Sequence, residues 1–150
     1  MCQNKLQQLL IQKEHCKEDK CRIEIDLKDV EIFDTENEKG RKLLKKYGYI
    51  KYCDCIIFIK NEVLLVVEIL CGSLNEKELT DKEKQVSTWK MILQKEKIKF
   101  NIFCFIVYLK RSMKKIFFEK KKLSLRNKGI LLEQFKRTKN PSIKLSELLQ

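Results

Sequence analysis

The side chains best placed to do chemistry in this sequence are two acids set in otherwise apolar runs. Asp54 lies in Cys53-Asp54-Cys55, and Glu68 in Val66-Val67-Glu68-Ile69-Leu70. Successive side chains of a strand point to opposite faces. Asp54, Ile56 and Phe58 therefore share one face of a first strand, and Leu64, Val66, Glu68 and Leu70 share one face of a second. If Lys60-Asn61-Glu62 forms a three-residue loop, Ile59 pairs with Val63 and Asp54 falls opposite Glu68. Two carboxylates held together away from water raise each other's pKa or share a cation. A divalent metal is the simplest such cation. Mg²⁺ takes oxygen ligands from one or two carboxylates, waters and a substrate phosphate, and it stabilises the charge that develops in phosphodiester hydrolysis. The plainer alternative is that both acids lie at a solvent edge or pair with a lysine such as Lys51.

The elements that must position these acids are legible as changes of period. Leu6, Leu9 and Leu10 on one side of about Gln3–Lys17 predict a helix. Arg22–Leu27 alternates as a half-buried strand does, and Val30–Phe33 reads as another short strand. A helix is expected over Glu36–Tyr47, ended by Gly48. Two strands over about Lys51–Ile59 and Val63–Leu70 follow, then a helix over Glu76–Lys97 with Asn75 as its N-cap. Lys99–Leu109 reads as a central strand, Ser112–Lys122 as a short basic helix or loop, and Gly129–Phe135 and Ser142–Leu145 as late short strands. The order predicts one α/β (α+β) domain spanning 1–150, a mixed central sheet flanked by helices.

An Asp, a hairpin, then a Glu two residues before the third motif position, a small-residue turn (Cys71-Gly72-Ser73) and a helix carrying Gln85 make up the stretch Gly48 to Gln85. That stretch resembles the PD-(D/E)xK nuclease group. The resemblance covers about 40 residues and rests on a short, degenerate motif. It implies a restriction-endonuclease-like core and Mg²⁺-dependent cleavage of DNA or RNA, with DNA favoured. It also implies a homodimer of the kind some members form on four-way junctions. Asp54 and Glu68 would bind the metal, with Glu14 on the first helix as a further ligand and Gln85 in support.

One position departs from the group's pattern. The third motif position is Leu70 rather than lysine, and leucine can neither orient nor activate water. Either the site is inactive and the domain only binds, or a lysine reaches in from elsewhere. Lys60 shares the face of Asp54 but lies about 20 Å along the strand. Lys82 is the better candidate, because it interrupts the apolar stripe Leu79, Val86, Trp89 and Leu93 of the long helix. A lysine there either supplies the missing ammonium or snorkels to the sheet edge.

Charge points to a partner class. The chain of 150 residues has a formal net charge of +12, and residues 101–150 carry 13 basic and 3 acidic residues. Such a field suits a polyanion, with Lys110, Arg111, Lys114, Lys115, Lys120, Lys121 and Lys122 as phosphate contacts. A lysine-rich solvated surface is the alternative. The seven cysteines are odd in number and follow no export signal, so reduced thiols and a cytoplasmic location are expected, with no disulfide framework. A zinc site on Cys53 and Cys55, or on Cys16 and Cys21 beside His15, is a lesser alternative to cysteines packed as small hydrophobes. His15, the sole histidine, lies among charged residues, and Trp89 reads as core. No apolar run approaches the roughly 18–20 residues that span a bilayer. Three functions remain open: a nuclease-like enzyme, a non-catalytic binding or accessory module of a defence or recombination system, and a protein-interaction domain with a basic tail.

Overall fold

A computed structural model describes residues 2–18, 20–60, 63–71, 76–109, 115–135 and 142–149. Helix α1 (Cys2–Leu9) leads into β1 (Ile11–Lys13), β2 (Cys16–Glu18), β3 (Cys21–Glu24) and β4 (Val30–Asp34). Helix α2 (Glu38–Tyr47) precedes β5 (Cys55–Ile59) and β6 (Val63–Cys71), which lead into α3 (Glu76–Lys95) and β7 (Asn101–Leu109). The chain closes with α4 (Lys115–Asn127), β8 (Ile130–Phe135), β9 (Ser142–Lys144) and α5 (Leu145–Leu148). The main sheet has six strands in the order β1-β4-β5-β6-β7-β8, antiparallel from β1 to β6 and parallel from β6 to β8. It is the expected mixed sheet flanked by helices. A second sheet, β2-β3-β9, was not anticipated.

Alternation along β6 divides the core into two layers. Leu64, Val66 and Leu70 pack with Leu79, Val86 and Trp89 of α3, with Leu43 and Leu44 of α2, and with Leu6 of α1. Leu65, Val67 and Ile69 pack on the other face, with Ile23 of β3, Ile143 of β9 and Leu148 of α5. Both faces of β6 are thus covered, which explains its unbroken apolar run. The hairpin register is as expected, with Ile59 opposite Val63 and Cys55 opposite Val67. The strand itself starts at Cys55 rather than Lys51, leaving Asp54 one step beyond the ladder.

The N-terminal expectation fails. Only Cys2–Leu9 is helical, and the rest of Gln3–Lys17 forms β1 and β2. Ile11–Lys13 completes the edge of the main sheet against β4, and Cys16–Glu18 pairs with β3, so long-range partners override a local apolar period. Arg22–Leu27 contributes a strand only as far as Glu24. Ser112–Lys122 becomes, from Lys115, a helix of 13 residues, and the late strand at Ser142 gives way to a short helix at Leu145. The Asn75 cap and the Asn61-Glu62 turn lie outside the described residues.

The cysteines also correct the sequence reading. Cys16 is bonded to Cys55 and Cys21 to Cys71, so these four are neither free thiols nor zinc ligands. The spacing gave no sign of this, because each bridge joins the small sheet to the large one across 39 and 50 residues. Loops of that size lose about 4 kcal/mol of unfolded-state entropy per cross-link in the chain-entropy account. Cys53 and Cys104 are buried free thiols, as expected of small hydrophobes.

A close backbone approach sets the path into Asp54. Asn37 caps α2 by accepting from Gly40 N–H at 3.0 Å, and a Cβ on Gly40 would lie 1.7 Å from the Thr35 carbonyl oxygen. The buried Thr35 hydroxyl in turn donates to the Cys53 carbonyl at 2.8 Å and accepts from the Cys53 N–H at 3.0 Å. Gly40→Ala must push the helix off this turn. It is expected to cost roughly 2–4 kcal/mol, in the range of overpacked or strained core substitutions, read as a lower urea midpoint at unchanged slope.

Candidate active site

Four elements converge at the open end of the β5–β6 hairpin. Lys82 projects from α3 onto the sheet face that Glu68 occupies. Its Nζ lies 2.9 Å from Glu68 Oε2, 3.0 Å from Glu18 Oε1 and 3.5 Å from Asp54 Oδ2. Glu68 is enclosed, with a side chain 1% exposed, while Lys82, Asp54 and Glu18 are 14%, 17% and 38% exposed. Gln85 stands one turn along from Lys82. With its amide nitrogen turned to Glu68, as the surrounding donors and acceptors require, it donates to Oε1 and Oε2 at 2.8 and 3.2 Å. Asp54 is fixed from two sides. Its Oδ2 accepts from Ile69 N–H at 2.6 Å, and its carbonyl accepts from Lys13 Nζ, also at 2.6 Å.

Several expected site residues therefore meet, and one does not. Asp54, Glu68, Lys82 and Gln85 form one cluster. Glu14 is 93% exposed, contacts His15 at 4.0 Å, and has no part in it. The third acid is Glu18, four residues later. The expected first helix ends before it, and the turn after β1 carries it past the end of the sheet on β2. The mixed charge of Lys17-Glu18-Asp19 offered no cue to single it out. Lys51 pairs with Asp81 at 3.9 Å rather than with the cluster. Leu70 lies in the core beneath α3.

The electrostatics follow from one cation among three acids. Burial works against the Lys82 ammonium, but the charges of Glu68 and Asp54 and its hydrogen bonds to Glu68 and Glu18 outweigh that and hold its pKa above that of a free lysine. Burial first, and then the charge of Asp54, push Glu68 well above its ordinary 4.5. The same two causes raise Glu18. Full ionisation would leave the cluster two negative charges in excess, so it favours protons or a further cation. Oxygen donors of this kind suit Mg²⁺ in chemistry. Among the described residues no three acidic, thiol or imidazole groups stand ready-made around a metal. The point on which the carboxylates converge is the ammonium.

A cleft of about 360 Å³ opens over this cluster, its wall carrying Lys13, Lys17, Lys51 and Lys82 as well as Glu18, Asp34, Glu36 and Asp54. No family model matches the chain, and neither the curated proteins nor the solved structures yield a match.

The expected phosphate contacts that are described lie on α4. Lys110, Arg111 and Lys114 fall outside the described residues, and Lys115 opens α4. On α4, Lys120 is exposed, Lys121 bonds Glu76 at 3.0 Å, and Lys122 lies over the Phe118 ring at 5.9 Å. Lys128 likewise bonds Glu83 at 2.7 Å. Glu83 points about 100° around α3 from Lys82, as consecutive helical residues do, so α4 packs on a different side from the cleft. The cleft lysines come from the N-terminal hundred residues, where near-balanced charge hid them. Among the described residues no helix is long and apolar enough to cross a membrane.

The pH dependence has a definite sign. A raised acid binds more protons folded than unfolded, so its contribution favours the fold near pH 4.5 and is lost as pH rises towards its folded pKa. Lys82 contributes stability throughout this range, since its raised pKa lies far above it. Glu68→Gln should therefore gain stability relative to the native chain between about pH 5 and pH 8. Lys82→Met strands the three acids and should cost roughly 3–5 kcal/mol near neutral pH, less near pH 5. Urea unfolding at the two pH values checks both.

Proposed function

We propose that this protein is a metal-dependent phosphodiesterase acting on nucleic acid, built on the PD-(D/E)xK plan with its lysine moved from strand to helix. The observation that carries the reading is the Lys82 ammonium 2.9 Å from Glu68, the acid two residues before Leu70. Leu70 removes the lysine from β6, and Lys82 returns one to the same acid from the covering helix. Asp54, Glu68 and Glu18 are the acids that would hold Mg²⁺, which when bound would activate water and offset charge on the phosphoryl oxygens. Lys82, held protonated, serves as a hydrogen-bond donor and positive charge rather than as a base. Gln85 orients Glu68, and the Ile69 N–H orients Asp54. Exposed Lys17 and half-exposed Lys51 on the cleft wall suit backbone phosphates. DNA bound by a homodimer is the version of this reading that the sequence resemblance favours.

One observation favours a second reading, that of a binding module without catalysis. The ammonium sits among the acids that would hold a metal, and burial raises the proton affinity of Glu68. In that case Lys82 permanently replaces the metal.

Cleavage of plasmid and oligonucleotide substrates with Mg²⁺ or Mn²⁺ decides between them. We expect metal-dependent nicking, lowered at least 100-fold by Glu68→Ala and by Lys82→Ala. The double change Lys82→Leu with Leu70→Lys should recover part of it. Salt-sensitive binding without metal-dependent cleavage favours the binding module, and absence of binding near physiological salt favours a protein-interaction domain.

A further inference from the structure

Two cross-links bracket the residue that sequence reasoning missed. Cys16 and Cys21 flank Glu18, at the start of β2 and the start of β3. Their partners flank the motif acids, since Cys55 follows Asp54 directly and Cys71 lies three residues past Glu68. Strand β2 is three residues long and pairs only with β3, while β3 is held from its other side by β9. The β9–α5 segment has its own tie to the loop after β3, where Ser146 N–H donates to Asp26 Oδ1 at 2.9 Å. Among the described residues the hairpin is therefore tied to a further strand at β3 but not at β2. Glu18, 3.0 Å from Lys82, thus has a bridge to the large sheet on either side of it.

We propose that the two disulfides form a redox clamp that decides whether Glu18 joins the Lys82 cluster. The consequence for metal binding rests on the function proposed above, whereas the clamp itself does not. The reductant is a dithiol or a small-molecule thiol. Its thiolate attacks one sulfur of a bridge and forms a mixed disulfide while the other cysteine leaves as thiolate. A second thiol then resolves the mixed disulfide, so two thiols are oxidised for each bridge reduced and the released cysteines take up two protons. Access sets the order. Cys71 is half-buried, whereas Cys16, Cys21 and Cys55 are enclosed. The Cys21–Cys71 bridge, with its half-buried member, is therefore reduced first, and the enclosed Cys16–Cys55 bridge second. The free thiols Cys53 and Cys104 do not compete, because both are buried.

Two readings on the whole 150-residue chain test the clamp. Amide hydrogen exchange compares the oxidised and dithiol-reduced forms. We expect at least tenfold faster exchange over Cys16–Glu24 on reduction, with β6 and β7 still protected. The Cys21→Ser/Cys71→Ser variant should reproduce part of that change without reductant. Mn²⁺ binding, followed by electron paramagnetic resonance, compares the same forms with Glu18→Gln. Reduction should weaken Mn²⁺ by the factor that Glu18→Gln does, and should add nothing in that variant. Unchanged protection of the hairpin overturns the proposal, as does loss of protection throughout the sheet, which would make the bridges general staples. Mn²⁺ affinity that responds to Glu18→Gln but not to reduction also overturns it. If the oxidised protein binds no Mn²⁺, the metal reading fails and the exchange result still decides the clamp.

Discussion

Everything at the end of the β5–β6 hairpin answers to one imbalance: three carboxylates around a single ammonium, most of it out of water. An isolated pair of that kind roughly cancels its own desolvation, but here the acids outnumber the base. The surplus is partly absorbed by donors aimed at it, Gln85 on Glu68 and the Ile69 N–H on Asp54. The rest raises the proton affinity of Glu68 and Glu18. A purely structural ion pair has no need of a third acid, whereas a site meant to exchange its cation gains from carrying too much negative charge. That is the physical reason for preferring function to scaffold here.

The fold serves this arrangement by enclosing β6 on both faces, with a cleft over the cluster near its end. Helices α1 to α4 cover one face and the β2-β3-β9 sheet with α5 the other. Glu68, near the carboxyl end of a strand that runs parallel to β7, lies where open α/β sheets commonly place ligands. The two layers contribute unequal parts. The helical layer supplies Lys82 and Gln85, and the small sheet supplies Glu18 from the opposite side, reaching past the strand ends.

Much of the central machinery was legible because it obeys short periods. The register of a tight hairpin follows from counting, so the meeting of Asp54 with Glu68 could be read before any coordinates. Lys82 stood out as the one charge in an apolar stripe. What was hidden depends on contacts distant in sequence. A helical period over Leu6, Leu9 and Leu10 could not reveal that the chain turns at Leu10 to complete a sheet edge, and so the third acid was sought at Glu14 instead of Glu18. Odd cysteine number argued against bridges, although pairing depends on which sulfurs the fold brings together. The cationic C-terminal third drew attention from the cleft because net charge over fifty residues says nothing about which side of the molecule they occupy.

Carrying the ammonium on a helix determines what the cluster depends on. A lysine two residues from Glu68 on β6 would be held at its distance by one strand's backbone. Lys82 is held by the packing of a helix on a sheet, through Leu79, Val86 and Trp89. Trp89 also donates from its indole N–H to the Lys51 carbonyl at 3.1 Å, at the start of the segment that delivers Asp54. The same aromatic side chain thus sets both the height of Lys82 above the sheet and the course of the chain into Asp54. Changes in that core layer would displace ammonium and acid together, which couples the geometry of this cluster to the stability of the helical layer more tightly than a strand-borne lysine would.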